Sequence, residues 1–148
     1  MRRTFLSLFL LALACANGAA FDETVDTLKS RLQSASPEER PQLCVRIAQL
    51  RLRDADKLYD DGHVNEARAA VDDIVTYSEK ARDAAIQSKK HLKNVEIAAR
   101  KMSEKLGDIK RTLAFEDQPP LEQAIRRLEE IRTDLLNAMF SDKKEQKR

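Results

Sequence analysis

The sequence predicts an all-α protein, an elongated antiparallel helical bundle or coiled coil built on one long central helix. Three observations predict it. The 148 residues are rich in Ala, Leu, Glu, Lys, Arg and Gln and only 5% aromatic, a composition of strong helix formers. Past residue 20 the breakers are confined to Gly62, Gly107, Pro37, Pro41, Pro119 and Pro120, which divide the chain into a few long uninterrupted stretches. From Val64 onward, apolar or small residues recur at alternating spacings of three and four without a change of register.

Residues 1–20 read as a secretory signal outside the fold. Arg2 and Arg3 supply the positive start, Phe5 to Ala14 an apolar run, and Cys15 to Ala20 a string of small residues. The run is too short to span a bilayer, and no later stretch approaches the ~20 apolar residues a spanning helix needs. The expectation is an exported protein, periplasmic or secreted. Gly18 and Ala20 fit cleavage before Phe21, while Ala16 and Gly18 allow cleavage before Ala19. The segment Ala12-Leu13-Ala14-Cys15 also resembles the bacterial lipoprotein signal, with its Leu one place later than that pattern has it. On that reading Cys15 is acylated and becomes the new N-terminus, and the protein meets a membrane only by this route.

The helical domain follows, over residues 21–140. Phe21, Val25, Leu28 and Leu32 recur at helical spacing, so residues 22–34 form a first short helix with Asp22 as its cap. The second helix covers 37–61. Ser36, Pro37 and Glu39 make a capping box with Pro in the first turn, and Pro41 marks either a kink or a later start. Leu43, Ile47, Leu50, Ala55 and Leu58 carry this helix to Asp61, where Gly62 supplies a left-handed stop.

The third helix is expected over 64–114. Its seam reads Val64, Ala67, Val71, Ile74, Ser78, Ala81, Ala85, Ser88, Leu92, Val95, Ala99, Met102, Leu106, Ile109 and Leu113. One register without Pro argues for a single helix of ~50 residues, about 75 Å long. Gly107 is its one internal breaker, tolerated at about 1 kcal/mol. "FEDQPP" closes it, and a last helix runs over 119–140. Leu121, Ala124, Ile125, Leu128, Ile131, Leu135, Leu136, Ala138 and Met139 cover roughly 160° of that helix, wider than a two-stranded seam. Residues 141–148 read as a polar tail. The lengths suggest two antiparallel hairpins in tandem on the long helix, with the first helix packed near its start.

The stretch "LRDADKLYDDGHVNEARAAVDDI" carries small Ala55, then Leu58, the turn Gly62, Val64, Ala67 and Val71. In this it resembles the helical hairpin of the tetratricopeptide repeat, whose small residues let two helices approach closely. The resemblance covers one unit, about residues 48–75. It implies a tight hairpin and no array, because the second helix continues and no ~34-residue repeat recurs.

Composition and motifs narrow the function mainly by exclusion. The chain has 27 Lys+Arg and 25 Asp+Glu, and loss of Arg2 and Arg3 with the signal leaves a neutral mature chain. Neutral charge and the absence of Trp disfavour nucleic acid. If Cys15 is removed, Cys44 is the single thiol; it lies on an apolar helix face and reads as packed and inert, or as a link between chains. "DADKLYDDG" fails as a calcium loop, since alignment on Gly62 puts Lys57 at the first ligand position and Arg68 at the bidentate one. His63 and His91 have no metal-ligand spacing with another ligand type. Asp72-Asp73 and Glu129-Glu130 point in different directions from their helices, and no phosphate loop or nucleophile motif occurs. No cofactor, no metal and no catalysis are expected.

What remains is a non-enzymatic helical scaffold or adaptor working through protein–protein contact. The candidate contact residues are Val75, Ile86 and Ile97, a second apolar line at eleven-residue steps, together with Ile131 and Leu136 on the wide face of the last helix. That line either widens the intrachain face or forms a docking groove. The last helix has one intrachain neighbour in the tandem arrangement, so a partner protein or a second copy is expected to cover its remaining face. Two alternatives stand: a spacer tethered through acylated Cys15, and a helical ligand or haem carrier using His63 or His91 with Met102 or Met139. Lys89, Lys90, Lys93, Arg100 and Lys101 form a basic stretch that reads as a solvated face or as a contact for an anionic surface.

Overall fold

The computed structural model describes residues 23–145. Residues 1–20, expected as a secretory signal, and with them Cys15, lie outside these residues. The order of elements is α1 (Val25–Ser34), α2 (Arg40–Asp60), α3 (Val64–Ser88), α4 (Leu92–Thr112), a 3-10 turn (Phe115–Asp117) and α5 (Pro119–Glu145). The all-α class is as expected, and no strand occurs among the described residues.

Local chemistry sets most of the boundaries. Thr24 caps α1, its Oγ1 accepting from the Thr27 N–H at 3.2 Å, so the helix starts three residues after the expected cap, Asp22. The Ser36–Glu39 pairing forms, with both the Ser36 N–H and its hydroxyl donating to Glu39 Oε2. Those bonds, the backbone one first, hold the Glu39 carboxyl below its usual pKa. They organise a turn ahead of α2 rather than its first turn. Pro41 has no N–H and crowds the carbonyl four residues back, so the regular helix begins at Arg40 with Pro41 inside its first turn. At the other end Gly62 takes φ +79°, the Gly62 N–H donates to Tyr59 O, and the His63 N–H donates to Leu58 O. This is the Schellman pair of bonds that closes a helix on a left-handed residue.

The long helix expected over 64–114 is two helices. Lys89 and His91 adopt φ of 55° and 61°, and the chain reverses between α3 and α4. Ser88 closes α3 by donating its hydroxyl to Ala84 O and accepting from the Lys90 N–H, while Gln42 Nε2 lies 3.0 Å from His91 Nδ1. Magnitudes explain the reversal. Two non-glycine residues in the left-handed region cost about 1–2 kcal/mol each. Folding α4 back buries Val95, Ala99, Met102, Leu106 and Ile109 to 3% exposure or less, at about 1.5–3 kcal/mol for each large side chain.

The result is two antiparallel hairpins lying side by side. In α2–α3, Arg51 Nε meets Asp73 Oδ2 at 2.9 Å. In α4–α5, Lys110 meets Glu122 near one end and Arg132 meets Glu96 near the other. Between hairpins α3 packs on α5 and α2 on α4. Both pairs run parallel, since Arg68–Asp117, Glu79–Arg127 and Arg82–Asp134 advance together, as do Gln42–His91 and Asp56–Lys105. Helix α1 packs on α2 through the fully buried Leu28, and the Lys29 and Lys80 ammonium groups lie 5.5 and 4.8 Å from the Tyr77 ring centre.

Small residues allow this close approach. Ala48, Ala55, Ala67, Ala70, Ala81 and Ala85 are completely buried, while Leu28, Ile47, Ile74, Leu106, Leu121, Leu128, Ile131 and Leu135 supply the bulk of one continuous core. Helix α5 runs to Glu145, five residues into the expected tail. Its wide apolar face has two intrachain neighbours, α3 and α4, where the tandem arrangement had one.

Candidate protein-contact surface

The line Val75, Glu79, Arg82, Ile86 advances by three or four residues and so occupies one face of α3. Glu79 Oε1 meets Arg127 Nε at 2.5 Å and Arg82 meets Asp134 at 3.0 Å, which orients this face toward α5. Between α3 and the first turns of α5 there is an open groove of ≈ 890 Å³. Val75, Thr76, Pro119, Pro120 and Ala124 are among its lining residues, and Arg68, Asp72, Glu79, Arg126, Arg127 and Glu130 give it charges of both signs. Val75 packs partly against the core. Ile86, about 16 Å further along the same face, is 39% exposed.

The turn into α5 closes one end of this region. Arg68 Nη2 donates to Asp117 Oδ1 at 2.8 Å, Gln118 Nε2 donates to Leu113 O at 3.1 Å, and backbone bonds from Asp117 to Ala114 and from Leu121 to Gln118 complete the turn. Phe115 stands on this turn with 85% of its surface in water. Sequence reasoning missed it, because a lone aromatic between helices carries no periodicity. The available signal was its position beside "EDQPP", a segment rigidified by two prolines.

The five predicted contact residues do not converge. Val75 and Ile86 share the α3–α5 side. Ile97 is half-buried on α4, at helical spacing from the exposed Lys93, Arg100 and Lys101, and reversal of the chain at 89–91 breaks the expected eleven-residue line. Leu136 is half-buried on the flank of α5 that carries Arg132 toward α4. Ile131 is completely buried and belongs to the core; the tandem arrangement had left it a face to fill, and the side-by-side arrangement fills it.

Cys44, Tyr59, His63 and His91 are not among the residues that line this groove. Cys44 is 2% exposed, and burial pushes its thiol up to about 11, only partly offset by Lys80 and Arg40. Burial likewise raises the Tyr59 phenol. His63 and His91 lie at opposite ends of α3, ~37 Å apart, so they do not act on one ligand. Met102 is core at 2% exposure. Among the described residues, no three His, Cys, Asp or Glu side chains gather as a metal site, and no helix is long and apolar enough to cross a membrane. No protein-family model, no curated protein and no solved structure matches the chain.

Proposed function

We propose that this chain is an exported, non-enzymatic helical scaffold or adaptor that holds a partner protein along the α3–α5 groove. The observation that carries the reading is Phe115, 85% exposed on a turn that the Arg68–Asp117 ion pair and the Gln118–Leu113 bond hold in place. An exposed aromatic on a braced turn at the end of a groove has the character of an interface anchor, because the turn is already ordered and the ring gains a large apolar contact. Val75, Pro119 and Pro120 give the groove an apolar part of its lining. Arg126 and Glu130 on its rim suit an amphipathic segment carrying charges of both signs. Export rests on Arg2, Arg3 and the apolar run Phe5 to Ala14.

The test is substitution at positions that do not hold the fold. Phe115→Ala and Ile86→Glu should weaken association with a co-isolated partner roughly 10- to 100-fold each, with the helical circular dichroism signal and unfolding midpoint of the wild type. Undiminished association in both variants would sink the proposal.

A further inference from the structure

We infer that the α3–α4 turn is a strained hinge through which two copies of this chain exchange α4–α5 hairpins. Lys89 and His91 are L-residues in the left-handed region, at φ 55° and 61°, where glycine is the usual occupant. The segment Lys89-Lys90-His91 contains neither Gly nor Pro, and Lys is a good helix former. The apolar register runs through it unbroken, with Ala81, Ala85 and Ser88 before the turn and Leu92, Val95 and Ala99 after it. The same sequence therefore encodes a reversal and a straight helix of roughly 50 residues. Short, strained connections of this kind favour exchange of identical elements between chains.

The contacts that would be exchanged are well defined. Asp56–Lys105, Arg68–Asp117, Glu79–Arg127 and Arg82–Asp134 all join one hairpin to the other. In the open dimer each pair re-forms with the partner copy, as does the apolar packing of α3 on α5 and α2 on α4. At the turn, Lys89 and His91 enter an ordinary helix, and the bonds from Lys90 N–H to Ser88 Oγ and between Gln42 and His91 are among those given up. This goes beyond the adaptor proposal, since an exchanged dimer would carry two α3–α5 grooves whether or not either binds a partner.

Lys105 Nζ lies 2.8 Å from Asp56 Oδ2, close enough for a carbodiimide to convert the ion pair to an amide. Protein of natural isotopic composition and 15N-labelled protein are unfolded together, refolded at high concentration, and separated into monomer and dimer by size. After coupling, the Asp56–Lys105 cross-linked peptide from the dimer should be mixed-isotope in about half of all copies, as random pairing of exchanged chains requires; in the monomer it should be unmixed. A second arm uses Lys89→Gly/His91→Gly, which relieves the strain of the closed turn and disfavours the straight helix. It should weaken dimerisation by at least roughly a hundredfold. Absence of a dimer, a dimer whose cross-linked peptide is unmixed, or a dimer indifferent to the glycine pair would each overturn the inference.

Discussion

Replacing Gly107 by Ala should stabilise the protein, whereas the same replacement at Gly62 should destabilise it. Gly107 lies inside α4 with ordinary negative φ, and a Cβ built there meets nothing within 4 Å. The substitution thus adds no clash and fills no cavity. It removes the backbone freedom that glycine brings to the unfolded chain, a gain of about 0.5–1 kcal/mol. Gly62 also has open space around its Cβ, so sterics with neighbours are equal at the two sites. The difference is φ +79°, which costs an L-residue about 1–2 kcal/mol. Urea unfolding followed by circular dichroism at 222 nm resolves both, provided the slopes match wild type. For a domain of this size the Gly107 variant should melt about 2–6 °C higher. A Gly107→Ala variant that is neutral or less stable would refute the reasoning, since it would mean that α4 needs a bend or a close approach there.

Three further outcomes follow from burial. Ile131→Ala should cost about 2–5 kcal/mol in the same assay, because Ile131 is completely buried; loss of association without loss of stability would return it to the surface. Ser78 is 1% exposed and its hydroxyl has no hydrogen-bond partner among the described residues, so Ser78→Ala should leave stability unchanged or raise it by up to about 1 kcal/mol, read as the urea midpoint. Cys44 holds its proton to about pH 11 when folded, against an ordinary value of 9.0. Between those values the unfolded chain releases a proton that the folded one keeps, so stability falls as pH rises. Cys44→Ala should make the unfolding free energy less dependent on pH across that window.

Much of the fold was legible in the sequence because capping and stop signals act locally. Gly62 ends α2 where its φ is needed, and Pro119 opens α5. The turn at 89–91 was not legible, since neither glycine nor proline marks it and the apolar register crosses it intact. A periodic pattern states which face is buried and leaves open whether the neighbour is another protein or the same chain folded back. The misplacement of Ile131 followed directly: a helix with one assumed neighbour shows a surplus face, and one with two does not. Val75 and Ile86 lay on a readable face, while Phe115 became visible only once the turn around it was seen to be held by Arg68 and Gln118.

Occupancy of the α3–α5 groove is read most directly by site-specific photo-cross-linking in the producing cells. A photoreactive amino acid is placed at Phe115, at exposed Gln123 on the groove, or at exposed Lys57 on α2. A partner held in the groove should give one shared adduct from positions 115 and 123 and none from 57. Equal adducts from all three positions, or none from the groove, would contradict it.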